Sequence, residues 1–155
     1  MPAAKEKLRI SSNERPKMFI EMMVRELGED RVEVCHLDCG DYVWGDVVVE
    51  RKKVDNLVSS IVKRKTNGKR ELWDQLERCQ ESYKTVVLLV EGTLIAVSDA
   101  KECIADGKHR RVPYLAVQSS IVAAQRKGVV VVHTDGMRET IKVLSWIMQG
   151  NLKRG

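Results

Sequence analysis

Two segments of this chain hold no polar residue at all: 86–90 reads VVLLV and 129–132 reads VVVV. A strand with one face in water alternates apolar and polar residues, so a strand apolar at every position reads as buried on both faces. Burial on both faces requires a covering layer on each side of a sheet, and helices are the usual cover. Helical patterns do flank the two runs. Pro16 suits a first helical position, Phe19, Met22, Met23 and Leu27 follow at helical spacing, and Gly28 ends that helix. A second helix is expected over 57–64, capped by Asp55 or Asn56, and a third over 70–83, with Leu72, Trp73, Leu76 and Cys79 on one side. A fourth covers 113–127 and is closed by Gly128; a fifth starts from a cap at Thr134 or Asp135 and runs to Gln149. Strand signals occur at 8–10 and 31–37, and a hairpin is expected from 41–43 and 46–52, turning at Trp44-Gly45. The stretch 93–111 reads mostly as loop. The expected fold is α/β: a central mixed sheet flanked by helices, in one domain over 1–155.

Composition narrows the functional classes. The chain is 43% apolar and 32% charged, which suits a globular protein in water. No apolar run approaches the roughly 20 residues of a membrane span, and the first residues, MPAAKEKLRI, lack the apolar segment of a signal peptide. The expected location is intracellular, in the nucleus if the source is eukaryotic and otherwise in the cytoplasm, with no membrane partner. Cys35, Cys39, Cys79 and Cys103 form no CxxC pair and read as free thiols. Cys35-His36-x-x-Cys39 holds three ligand types without a second half, so it reads as strand rather than as a zinc site. The formal charge is +5 and it is concentrated: eight basic residues and one acid lie between Arg51 and Arg70, and Lys108-His109-Arg110-Arg111 form a second cluster. Dense basic segments suit a phosphate backbone, whose condensed counterions they release.

Strand parity locates the chemistry. Side chains alternate faces along a strand, so Asp46, Val48, Glu50 and Lys52 share one face, and Val47, Val49 and Arg51 share the other. With the hairpin turning at Trp44-Gly45, Asp41 falls opposite Val48 and diagonal to Glu50, about 7–8 Å away at the backbone. Lys52 follows Glu50 by about 6.6 Å on the same face, whereas Asp46 is about 13 Å from Glu50, too far to share a cation with it. Two carboxylates and a lysine converging in this way suit phosphodiester hydrolysis. The acids would hold Mg²⁺ or Mn²⁺, the metal would polarise the phosphate and acidify a bound water, and the lysine would orient that water or offset developing charge. Arg51 points away and needs another task, such as bracing a carboxylate behind the site. A Glu-x-Lys triplet alone is very common and by itself reads more readily as a solvated surface strand of alternating valines and charges.

Gly40-Asp41-Tyr42-Val43 followed by Val49-Glu50-Arg51-Lys52 resembles the signature of XPF-type branched-DNA nucleases, whose fold is similar to that of restriction endonucleases. In that family the pattern is Gly-Asp, a short spacer, Glu-Arg-Lys, three residues, Asp. The resemblance extends to the LVSSI at 57–61, to Gly68, Arg70, Gln75 and Tyr83, to Glu91-Gly92 and to the VQSSI at 117–121, so it spans roughly 8–149. Two positions depart from it. Ser11 stands where the family has an Asp three residues before the Glu that matches Glu14, and Asn56 stands at the closing Asp, with Asp55 one residue early.

The resemblance implies a metal-dependent, structure-specific endonuclease acting at flaps, forks or other branched DNA. Asp41, Glu50 and Glu14 would hold Mg²⁺ or Mn²⁺; Lys52 would assist the attacking water; Arg51 would support the site; Lys63, Arg64, Lys69, Arg70 and Gln75 would bind backbone phosphates. It also implies a homodimer or heterodimer through the C-terminal helices, for which Ile121, Val122, Ile141, Leu144, Trp146 and Ile147 are candidates, with core packing as the alternative. The expected organisation is a lone nuclease domain without a helicase or helix-hairpin-helix module. The alternative function is a catalytically silent DNA-binding subunit of a nuclease heterodimer, and a restriction-like or junction-resolving nuclease is a third option.

Overall fold

The computed structural model of the chain describes residues 6–14 and 17–149. Its centre is a six-stranded mixed sheet in the order β2-β1-β3-β4-β5-β9. The strands are β1 (Leu8–Ser11), β2 (Val32–Cys35), β3 (Tyr42–Trp44), β4 (Val47–Lys53), β5 (Thr85–Glu91) and β9 (Val130–Thr134). β1 pairs parallel with β2 and antiparallel with β3; β3 and β4 form an antiparallel hairpin; β4, β5 and β9 run parallel. The helices are α1 (Lys17–Leu27), α2 (Val54–Val62), α3 (Glu71–Ser82), α4 (Tyr114–Arg126) and α5 (Met137–Met148). The expected α/β architecture is therefore the observed one.

Alternation along β5 sorts the core into two layers. Val86, Leu88 and Val90 pack with Leu57, Val58 and Ile61 of α2, Leu72 and Leu76 of α3, and Val117 and Ala124 of α4. Val87 and Leu89 pack on the other face with Phe19 and Met23 of α1 and with Ile141, Leu144 and Ile147 of α5. None of the five apolar residues of β5 exceeds 4% exposure, so each contributes roughly the full 1.5–3 kcal/mol of a buried aliphatic side chain. The same alternation runs through β4: Val48 faces the α2–α3 layer, and Val47 and Val49 face the α1–α5 layer.

Several expectations are corrected. The run 129–132 is not buried on both faces, because β9 lies at the sheet edge, where Val130 is 36% exposed. Residues 94–110 are not loop; they form a small antiparallel sheet of β6 (Leu94–Val97), β7 (Glu102–Ala105) and β8 (Lys108–Arg110). Its buried Cys103 and Ala105 join the α2–α4 layer, and these short alternating strands between turns carry little sequence signal. Helix α2 begins at Val54 rather than 57, and neither Asp55 nor Asn56 caps it with its side chain. The Asp106 carboxylate, from the β7–β8 turn, accepts the Asp55 N–H at 3.1 Å and the Thr93 N–H at 3.0 Å. That caps the start of α2 from a point 51 residues away in sequence, and no local motif predicts it. Gly136, not Thr134 or Asp135, precedes α5; the Thr134 hydroxyl instead pairs with that of Thr140 at 2.8 Å. The Pro16 helix start lies outside the described residues. Of the residues considered for an interface, Ile141, Leu144 and Ile147 are core, because they cover β5 and its neighbours; Ile121 is partly buried, and Val122 and Trp146 are exposed. The described helices include none long and apolar enough to cross a membrane.

Candidate active site

The site is built on the β3–β4 hairpin. Its turn is Gly45-Asp46, with Trp44 paired to Val47, Val43 to Val48 and Tyr42 to Val49. The turn lies one residue later than expected, so Asp41 is carried from opposite Val48 to the level of Glu50, and Asp46 leaves the strand. A two-residue change of register preserves the face of every side chain, which keeps Glu50 and Lys52 on the expected side. The ladder ends at Asp41 in an unusual way. Its N–H donates to the Val49 carbonyl at 2.8 Å, and its carboxylate accepts the Arg51 N–H at 2.7 Å. The Asp41 side chain thus does the work of a main-chain carbonyl in the ladder, and this fixes the carboxylate beside Glu50. Gly40 permits the approach: its φ is +78°, and a Cβ there would lie 2.2 Å from Val48 Cγ2.

Two polar depressions meet at Asp41 and Glu50. The larger, about 370 Å³, is also lined by Lys52, Asn56, Ser59, Ser60, Lys63 and Glu71. The smaller, about 210 Å³, is also lined by Ser11, Asn13, Asp38, Cys39, Gln75 and Arg78. Burial, then the charges of Glu50 and Glu14, push the Asp41 carboxyl up to about 8, against the Arg51 N–H and Lys52, which pull it down. The Glu50 carboxyl is also raised, chiefly by burial; Lys52, whose Nζ lies 3.9 Å from Glu50 Oε1, opposes this, as does Arg78. Two carboxyls held up in this way mark a place short of positive charge. A hard divalent cation such as Mg²⁺ or Mn²⁺, taking oxygen ligands from both, relieves each penalty, so the donor set fits such an ion. Among the described residues no three His, Cys, Asp or Glu side chains converge on one cation position, so the remaining ligands would be water and substrate oxygens.

Arg51 lies on the opposite face of β4. Its Nε and Nη2 donate to the two oxygens of Glu91 at 3.2 and 2.6 Å, and its Nη1 donates to Glu14 Oε1 at 3.1 Å. The guanidinium also stacks 4.3 Å above the Phe19 ring. Arg51, Glu14 and Glu91 side chains are 4–9% exposed. Glu14, expected as a metal ligand, therefore has its Oε1 engaged by Arg51, although its charge still acts on Asp41 and Glu50. Asn56 lines the larger depression, while Asp55 turns away and pairs with Arg110 at 2.5 Å and Lys108 at 3.4 Å. Those pairs, with His109 on Glu102, tie up most of the second basic cluster internally.

The expected phosphate-binding residues are spread around the larger depression. Lys63 lines it, 3.9 Å from Glu71. Arg64 and Arg70 bridge the neck of the α2–α3 connection, where Arg64 Nη1 donates to the Gly68 carbonyl at 2.9 Å. Lys69 pairs with Glu77 at 2.7 Å and Lys65 with Asp74 at 2.8 Å. Gln75 lies in the smaller depression. Two residues have a part in the site that the sequence did not assign them. Glu91 closes an all-apolar strand, and its terminal position was the available signal that it would meet a charge at the sheet's end. Arg78 had none beyond its place seven residues after Glu71.

The geometry can be set beside known proteins. A model of the family described as ERCC4 domain matches residues 6–146. The 3'-flap repair endonuclease Xpf of Saccharolobus solfataricus is 37% identical over 89 residues, which cover 56% of this chain and 35% of that protein. The chain thus accounts for about a third of that relative's length. The solved structure of XPF from Aeropyrum pernix superposes with a TM-score of 0.69 at 20% identity, over 96% of this chain and 66% of that one. The same protein in complex with DNA gives a TM-score of 0.62 at 20% identity and the same coverage. These likenesses establish the fold. Matched over nearly all of its described residues, the hairpin and the sheet behind it included, the chain belongs to the ERCC4 domain family.

Proposed function

We propose that the chain is a metal-dependent endonuclease that cuts DNA at flaps, forks or other branched structures. One observation carries the reading: Asp41 and Glu50 share a polar depression with Lys52, and burial raises both carboxyls, with the Glu50 charge adding to the rise at Asp41. The naming of the Saccharolobus relative as a flap endonuclease supports it, and the DNA complex of the Aeropyrum protein supports a DNA ligand. Mg²⁺ or Mn²⁺ at Asp41 and Glu50 would acidify a water and polarise the phosphoryl oxygen. Asp41 and Glu50 would hold that ion, the Asp41 carboxylate being fixed by the Arg51 N–H. Lys52 offsets charge developing on the phosphate and opposes the rise that burial imposes on the Glu50 carboxyl. Arg51 fixes the β4 backbone from behind through Glu91 and Glu14. Lys63, Arg64, Lys69 and Arg70 supply backbone contacts that carry no sequence information. Val122 and Trp146, exposed on α4 and α5, are the remaining candidates for a homodimer or heterodimer contact.

The test is cleavage of labelled flap, fork, four-way junction and plain duplex DNA with Mg²⁺, Mn²⁺ or EDTA. Metal-dependent cutting of branched substrates that is lost in Asp41→Ala and Lys52→Ala is expected. A second reading, a silent DNA-binding subunit, is favoured by Asn56, which lines the larger depression with an uncharged amide at the place where the family pattern has an Asp. Branched DNA bound but left uncut in every metal would establish that reading instead.

A further inference from the structure

We propose that helix α3 guides one DNA strand across the Asp41–Glu50 pair, with Arg78 binding a backbone phosphate on the side of the cut opposite Lys63. The inference rests on the nuclease reading above and assigns the smaller depression a ligand: the phosphodiester backbone next to the scissile bond. Both depressions contain Asp41 and Glu50, so these two carboxyls form the wall between them. A strand cut at that wall must leave in both directions, and each depression is an exit. The larger offers Lys63; the smaller offers Arg78 as its cation.

Helix α3 runs past both. Glu71 borders the larger depression, and Gln75 and Arg78 border the smaller. The spacing i, i+4, i+7 sets the three on one helical face, over about 10 Å of rise. Successive phosphates of one duplex strand advance by about 3.4 Å along the axis, so that face spans about three nucleotides. The exposed Arg78 guanidinium is already oriented, because Nη2 donates to the Asp38 carbonyl at 3.1 Å. That is one of its five N–H groups, and its other donors suit the planar fork of a phosphate. The same bond fastens the segment before Gly40-Asp41 to α3, so the phosphate site and the carboxylate pair share one rigid support.

The test uses flap DNA in which single phosphates on either side of the cut are replaced, one at a time, by neutral methylphosphonates. Arg78→Ala is expected to lower kcat/KM on unmodified flap about tenfold and to reduce the log–log salt slope of binding by about one. It should also abolish the effect of one methylphosphonate on one side of the cut, while Lys63→Ala does so on the other side. A purely structural role for Arg78 would leave the salt slope unchanged. Arg78→Lys, which keeps the charge, should restore the slope, and Arg25→Ala, exposed on α1 across the sheet, should leave it unaltered. Cleavage in which the loss from Arg78→Ala multiplies with that from every methylphosphonate, or in which both variants affect the same position, overturns the inference and leaves the nuclease reading standing. If the wild-type chain cuts nothing, the nuclease reading fails, and binding in EDTA decides this one: a slope reduced by one in Arg78→Ala upholds it and an unchanged slope refutes it.

Discussion

Removing the Arg51 guanidinium should unfold the protein more effectively than removing any single apolar residue of β4. The side chain is 4% exposed and sits between two carboxylates, Glu14 and Glu91, that are 9% and 5% exposed. Three charge-assisted hydrogen bonds and a stacking contact at 4.3 Å disappear together in Arg51→Met. Leaving buried charges without their partner costs about 3–5 kcal/mol, and loss of the ring contact adds up to about 1–2. The terms are not additive, so about 4 kcal/mol is expected. For a domain of this size that lowers Tm by roughly 8–16 °C, a large share of a total stability of about 5–15 kcal/mol. Arg51→Lys retains a charge but not the two-pronged contact with Glu91, and should fall about midway. Urea denaturation of wild type and both variants at pH 8 measures the deficit. If Arg51→Met lies within about 1 kcal/mol of wild type at pH 8 yet abolishes cleavage, the bracing argument is wrong and Arg51 acts on the substrate.

Three further outcomes follow from the hairpin. The Asp41 folded pKa of about 8 lies above the ordinary 3.8, so the metal-free protein holds that stability below pH 3.8 and loses it as pH rises toward 8. Asp41→Asn removes the loss, and after relaxation and water entry it should stabilise the metal-free chain by about 3 kcal/mol at pH 8 and hardly at all near pH 4, in urea titrations. Metal affinity in the wild type should rise over the same interval, since binding releases the proton. Gly40→Ala places a Cβ 2.2 Å from Val48 Cγ2 at a φ of +78°. It should lower stability by about 3 kcal/mol and cleavage by far more than that predicts, because Asp41 moves with it; unaltered cleavage would show that Asp41 tolerates displacement.

The features legible in the sequence are those that local periodicity encodes. The five-residue apolar run of β5 announced a sheet covered on both faces, and the parity of β4 separated Glu50 and Lys52 from Arg51 without any knowledge of the turn. The turn itself was misplaced by one residue, since Trp44-Gly45 and Gly45-Asp46 are both plausible two-residue loops, yet the faces survived because the resulting error in pairing was even. What stayed hidden depends on distance in sequence. Arg51 meets Glu91 across 40 residues, and Asp106 caps α2 across 51. Asp55 looked available to the site from its neighbourhood in the chain, but Arg110 of the small sheet claims it. The small sheet went unread because its strands are three or four residues long.

That Asp106 cap has a bearing on any attempt to shorten the protein. The 94–110 excursion lies outside the six-stranded sheet and begins and ends near Gly92 and Pro113, with only Cys103 and Ala105 of its residues fully buried against the core. Splicing it out would spare every central strand, but it would strip the first turn of α2 of its acceptor and leave Asp55 without Arg110. Asn56 and Ser59, which line the larger depression from that helix, would lose their anchorage. A trimmed chain could keep its architecture and forfeit the pocket, so the minimal fold and the minimal functional unit are different lengths of polypeptide.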